Sequence, residues 1–227
     1  MRTALLSLCL ALPLLADSPL DEHNKRIRES AGVLSEIMNA GDKSIPRDLL
    51  ERAQCVGVVP NLKRAGFIVG GQYGKGVLTC RVKEGIGWSA PSTIRVEGGS
   101  VGLQIGGGET DLVFIVMNQS GVERLMKDKF TVGGDATVMA GPVGRSTDAK
   151  TDAALKAEIL AYSRAHGIFA GVSLEGSTLR PDNDDNAKIY GKAASQEAIL
   201  HGHVKATPEA KPLFAELNKW APYKHED

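Results

Sequence analysis

CVGVVPNLKRAGFIVGGQYGKGVLTCRV, residues 55–82, decides the fold class. Its apolar runs Val56–Val59, Phe67–Val69 and Gly76–Val82 are short, rich in β-branched residues and punctuated by glycine, which is strand rather than helix patterning. The pattern continues through Thr93–Val96, Val101–Ile105 and Leu112–Met117, each bounded by Gly, Pro or Asn, and predicts a meander of strands. The 26 glycines against 5% aromatics favour the tight turns and close backbone approaches of antiparallel sheets over a helical bundle.

Outward from this stretch the period changes. Ile27, Ala31, Leu34 and Met38 recur at spacings of four, three and four, with Arg26, Arg28, Glu29 and Glu36 between them, so 21–40 reads as an amphipathic helix ended by Gly41. Pro46 suits the first turn of a short helix through Leu49, Leu50 and Ala53. Downstream, 119–128 keeps Val122, Leu125 and Met126 on one helical face with Ser120 as its cap. Strand character resumes at Ala136–Ala140 and Gly167–Leu174. Residues 155–165 fit either period, and strand is favoured because Gly167-Ile168-Phe169 resumes the sheet at once. Asp182–Tyr190, Ser195–Leu200 and Pro208–Trp220 read as helices packed on the sheet. The expectation is an α+β fold, an antiparallel twisted sheet or partly closed β-barrel built from 55–175 with flanking N- and C-terminal helices.

Met1-Arg2-Thr3 followed by the apolar run Ala4–Ala16 has the form of a secretory signal, too short to span a bilayer as a helix. Cys9 lies inside that run rather than at its end, which argues against a lipid anchor. Cleavage after Ala16 would leave 17–227 as one domain, exported to a periplasmic or extracellular location. The chain of 227 residues has 27 basic and 27 acidic side chains, and losing Arg2 leaves 26 against 27. Such balance gives no global attraction to nucleic acid, and contact with an anionic membrane would need a local patch. Cys55 and Cys80 fit either one disulfide in an oxidising compartment or two buried thiols.

No motif carries catalysis. Gly98-Gly99-Ser100-Val101-Gly102 matches a nucleophile elbow, but that elbow needs a helix after the serine, and Val101, Leu103 and Ile105 alternate as a strand. Gly70–Gly76 lacks the spacing of a phosphate loop and reads as a glycine-rich hairpin turn, with Lys75 beside exposed amides suited to an anionic headgroup. Asp182–Asn186 starts like a calcium loop but has Ala187 and Ala193 where Gly and Glu are required, so helix capping is favoured. His201 and His203 alternate without further metal ligands, and His166 stands alone. Lys63-Arg64 before Gly66-Phe67 places a basic pair beside an apolar tip, in a loop that could meet a membrane interface. The result is a binding module with no catalytic residue, metal or cofactor expected.

Taken together, Ala53-Gln54-Cys55-Val56-Gly57-Val58-Val59-Pro60, Lys63–Gly71 with Gly74-Lys75-Gly76, and Gly87-Trp88-Ser89-Ala90-Pro91 closely resemble the SYLF domain family. Gly98-Gly99-Ser100, Gln104-Ile105-Gly106, Thr110-Asp111-Leu112-Val113, Gly171–Gly176 and Tyr190-Gly191 follow in the family's order, covering roughly 27–195. The resemblance implies binding of anionic phospholipid, phosphoinositides in eukaryotic members, through an amphipathic N-terminal helix, and yeast relatives also bind actin. Carried onto this chain, it implies headgroup contacts from Lys25, Arg26 and Arg28, with apolar contacts from Ile27, Leu34 and Met38, while the same helix reads equally as a core-packing element. The basic groups Lys63, Arg64 and Lys75 complete the expected lipid site. The implied partner is an anionic phospholipid membrane surface or another protein, and no nucleic acid. Relative to many eukaryotic members, the expectation is a stand-alone exported form, with an export signal and without their attached SH3 domain.

Overall fold

In the computed structural model the described residues are 18–66, 69–82, 87–101, 106–127, 129–131, 138–144, 154–165, 167–172, 174 and 176–222. Residues 1–17, Phe67, residues 102–105 and His166 lie outside them. Helix α1, Pro19–Met38, starts where Ser18 Oγ accepts a hydrogen bond from the Asp21 amide at 3.2 Å. Pro19 in the first turn and the charges of Asp21 and Glu22 at the positive end of the helix dipole favour the same start. The predicted apolar stripe is the buried one: Ile27, Ala31, Leu34 and Met38 face inward, joined by Val33 and Ile37. A 3-10 turn, Gly41–Lys43, leads to α2, Arg47–Arg52, which follows Pro46.

The sheet is built of β1 Cys55–Gly66, β2 Val69–Cys80, β3 Ser92–Val101, β4 Gly106–Val116, β5 Phe130–Thr131, β6 Val138–Ala140, β7 Ile159–Ala165, β8 Ile168–Gly171 and β9 Ser177–Pro181. Helix α3, Gln119–Leu125, separates β4 from β5. After β9 come α4 Asn183–Tyr190, α5 Gln196–Leu200, a 3-10 turn Pro208–Ala210 and α6 Lys211–Trp220. Strand order is β5-β9-β3-β2-β1-β4-β7-β6, with β8 also on β7. All pairings are antiparallel except β6 with β7. The sheet curls into a half-barrel with flanking helices, the predicted α+β class.

Several local expectations change. The Gly70–Gly76 stretch is not a turn but runs inside β2, in register with β3 from Gly70↔Ser100 to Gly76↔Ile94. Lys63-Arg64 is not in a loop but in β1, opposite Tyr73 and Gln72. Helix α3 is capped by Asn118, whose Oδ1 accepts from the Gly121 amide at 3.0 Å, while the Ser120 hydroxyl donates to Glu158. Residues 159–165 are the favoured strand.

Both sheet faces are covered over much of their area, which is why alternation is blurred in the sequence. Val56, Val58, Val77, Val113, Ile115 and Tyr162 form the outer face beneath α1, α2 and α6. Val59, Leu62, Leu78, Leu112, Phe114 and Val116 fill the half-barrel with Val122 and Leu125 of α3. The close pairing needs glycine in places. At Gly57 a Cβ would lie on the Phe114 ring, and at Gly76 it would meet the Val58 carbonyl oxygen and the Val59 side chain.

Cys55 and Cys80 are register partners on β1 and β2 and form a disulfide, resolving the two readings left open by spacing. The crosslink closes a loop of 25 residues, which by chain entropy is worth about 3 kcal/mol. Reduction under conditions that keep the chain folded is therefore expected to lower the free energy of urea unfolding by that amount, and the midpoint with it. An unchanged midpoint would show that the β1–β2 pairing already restricts the denatured chain.

Candidate functional site

Two polar regions lie on the outer side of the sheet, beyond the helix-covered core. The first is an ionic cluster under α4. Asp182 caps α4, accepting from the Asp185 amide at 3.4 Å, as predicted for this acidic run. Lys75, projecting from β2, reaches Asp182 at 2.8 Å and Asp185 at 2.7 Å, and Arg95 on β3 lies 3.7 Å from Asp182. The position read as the start of a calcium loop thus holds an ammonium of the chain itself. Burial alone would lower the Lys75 pKa, but hydrogen bonds and charge from the two carboxylates raise it above the ordinary lysine value. Asp185 is pushed up by burial and further down by Lys75, Arg26 and Lys188, so it stays below the usual carboxylate range.

Beside this cluster runs a buried hydrogen-bonded seam. His23 of α1 is fully buried, its Nδ1 lying 3.0 Å from Thr93 Oγ1 and its Nε2 3.1 Å from the Tyr190 hydroxyl. The Tyr190 hydroxyl donates to the Pro91 carbonyl at 2.8 Å. Asn186 Oδ1 accepts from the Thr93 amide at 2.7 Å, and its Nδ2 donates to Ser92 Oγ at 3.0 Å. Gln196 Nε2 closes the seam on the Leu125 carbonyl at 2.6 Å. This network ties α1, α3, α4 and α5 to β3. The sequence motifs include Tyr190, Pro91 and Asn186 but place none of them in a polar seam, and they leave out His23. The signal for His23 was its place four residues before Ile27, on the apolar stripe.

The second region is the bare outer end of the sheet. Glu109, Lys63, Tyr73 and Glu97 lie side by side in register across β4, β1, β2 and β3. Register partners share a face, so these four form one row. Tyr73 is 48% exposed and Lys63 is exposed. The next row holds Ala65, Gly71 and Gly99, all exposed. A Cβ at Gly71 would meet nothing within 4 Å.

The proposed lipid contacts are not brought together. Ile27, Leu34 and Met38 are core, so a lipid contact through them would require α1 to leave the sheet. Lys25 is exposed and 3.9 Å from Glu29, Arg28 is exposed, and Arg26 is largely buried at 4.0 Å from Glu22. Arg64 turns to the inner face and donates to Gln72 Oε1 at 3.2 Å. Lys75 is neutralised by Asp182 and Asp185. Ser100 lies in β3 opposite Gly70, in a strand rather than at a strand-to-helix elbow. His201 and His203 are exposed with ring centroids 6.1 Å apart, and among the described residues no three His, Cys, Asp or Glu side chains converge to hold a metal. No helix among the described residues is long and apolar enough to cross a membrane.

A half-barrel covered on its outer face by helices, with polar seams and a bare mixed-charge end, has the form of a recognition domain. Residues 97–220 match the family model described as Ysc84, Las17-binding protein actin regulator, and the chain belongs to this Ysc84/SYLF family. It is 40% identical over 183 residues to LAS seventeen-binding protein 3 of Saccharomyces cerevisiae strain S288c, covering 79% of this chain and 39% of that protein. It is 39% identical over 183 residues to Protein YSC84 of the same yeast strain, covering 79% of this chain and 39% of the relative. It is 35% identical over 197 residues to the mouse SH3 domain-containing YSC84-like protein 1, covering 86% and 57% of the two chains. The aligned part is thus between about two-fifths and three-fifths of these relatives. The relatives are named as binding and regulatory proteins rather than enzymes.

Proposed function

We propose that this chain is a non-catalytic binding module that meets a partner protein through the bare outer end of its sheet. The observation that carries this reading is the row Glu109–Lys63–Tyr73–Glu97, in which an exposed tyrosine stands between charges of both signs beside a floor of Ala65, Gly71 and Gly99. An exposed aromatic on a flat floor is a typical interface anchor, and alternating charge selects a complementary protein surface over a uniformly anionic one. The relatives' names support a protein ligand, with actin filaments the first to try. Co-sedimentation of the full chain with filamentous actin is expected to show saturable binding that Tyr73→Ala weakens at least about tenfold, with the fold unchanged. Saturable binding that ignores Tyr73→Ala would remove this surface from the account, and no binding would remove actin as the partner.

A second reading, an anionic phospholipid surface, is favoured by the exposed Lys25, Arg28 and Lys63. With Ile27, Leu34 and Met38 in the core, such binding would be chiefly electrostatic and would fall steeply with salt. Vesicles with and without phosphatidylinositol phosphates, at low and high salt, separate it from the protein reading. Export to an oxidising compartment is part of the proposal and is supported by the Cys55–Cys80 disulfide.

A further inference from the structure

We propose that the first two turns of α1, Pro19–Arg26, form a pH-sensitive latch, closed while the His23 imidazole is neutral and opened by its protonation, with the rest of the helix remaining docked. Its place in the fold divides the helix in two. From Ile27 onward, α1 is anchored by Ile27, Leu34 and Ile37, all fully buried, and no single proton can offset their burial. In the first two turns the side chains that are buried or largely so are His23, Asn24 and Arg26, all polar, while Leu20 is 44% exposed. Asn24 Oδ1 is buried without a hydrogen-bond partner among the described residues, so this end is held chiefly by His23.

The bonding pattern assigns the closed tautomer. Tyr190 spends its hydroxyl hydrogen on the Pro91 carbonyl, so its oxygen must accept from His23 Nε2–H, leaving Nδ1 to accept from the Thr93 hydroxyl. A proton added to Nδ1 forces Thr93 to give up that donation and places an imidazolium in a fully buried site. Around it, α1 contributes the Arg26 guanidinium, itself 4.0 Å from Glu22. Helix α4 contributes Asp185, whose charge is shared with Lys75 and Lys188, and the neutral Tyr190; β3 contributes uncharged Thr93. Burial, then Arg26, lower the His23 pKa to about 4, and Asp185 offsets them only in part.

Released into water, the imidazole returns to its ordinary value of 6.5. Above pH 6.5 neither form carries the proton and the closed state keeps its full advantage. Between 6.5 and about 4 the open form binds the proton and the closed form does not, so opening grows as pH falls; below about 4 both are protonated and the change stops. The open fraction is expected to rise some fifty- to hundredfold across that window. Opening uncovers the Tyr190 hydroxyl, the Pro91 carbonyl and Thr93 at the edge of β3, and does not depend on which partner the sheet binds.

The test is amide hydrogen exchange of the full chain at pH 7 and pH 4.5, corrected for intrinsic rates, with the His23 ring followed by NMR. The expected result is a loss of protection of at least about thirtyfold at 22–26 with 30–38 spared, absent in His23→Gln, and an imidazole midpoint well below 6.5. Uniform loss along 19–38, the same loss in His23→Gln, or a wild-type midpoint at 6.5 would overturn the latch. Because the ring titration is read on the unaltered protein, a variant that fails to fold still leaves the proposal open to refutation.

Discussion

Replacement of Lys75 by Met is expected to destabilise the protein by about 3–5 kcal/mol, lowering the unfolding midpoint by about 10 °C. The side chain of Asp182 is only 4% exposed and that of Asp185 13%, so removing the ammonium between them strands two close carboxylates away from water. Arg95 at 3.7 Å and Lys188 at 3.7 Å are too distant to replace two bonds below 3 Å. The physical cause is desolvation rather than lost attraction. The triple change Lys75→Met, Asp182→Asn, Asp185→Asn, which removes the charges together, should therefore recover most of the loss. The pH dependence follows from Asp185. Its depressed pKa stabilises the fold above the ordinary carboxylate range, and that contribution fades as pH falls through and below it. Urea unfolding of the single and triple variants decides the matter: a single-variant loss under 1 kcal/mol would mean that Arg95 and Lys188 move in to compensate.

Gly57→Val should cost about 3 kcal/mol or more, whereas Gly71→Thr should be neutral or stabilising by up to about 1 kcal/mol. Both glycines are in extended strands of the same hairpin, and neither has positive φ. They differ in what their missing side chain would meet. At Gly57 the space is filled by the Phe114 ring, itself fully buried in the half-barrel, while Gly71 faces open space on the outer end. Equal midpoint shifts in a thermal melt of the two variants would show that backbone entropy, not packing, governs these positions.

These glycines also show where the sequence was legible. Counted as punctuation, Gly70, Gly71, Gly74 and Gly76 pointed to a turn. In the fold they are strand residues, and Gly74 and Gly76 are there because β2 lies close against Val59 and Leu62 of β1. Only the neighbour's side chain distinguishes the two uses, and the neighbour is not adjacent in sequence. Helix α1 was legible because its stripe is local, as was the α4 cap, where Asp182 answers to Asp185 three residues on. The stripe did not reveal what it faces, since an apolar helix face reads the same against a sheet or a bilayer. The ion pairs of Lys75 were not legible because its partners, 107 and 110 positions later, arrive only when α4 closes over β2. His23 was passed over for the same reason, with Thr93 and Tyr190 both remote.

Helix α1 also packs against α6, so the first and last helices complete one core together. A ribosome delivers them at opposite ends of synthesis. The apolar stripe of α1 is made some 180 residues before Leu213 and Leu217, an interval on the order of ten seconds or more. During that time the growing chain cannot finish its outer core, and its early helix needs a chaperone or remains exposed. Under the proposed export, that delay would keep the chain in a form a translocation channel can accept.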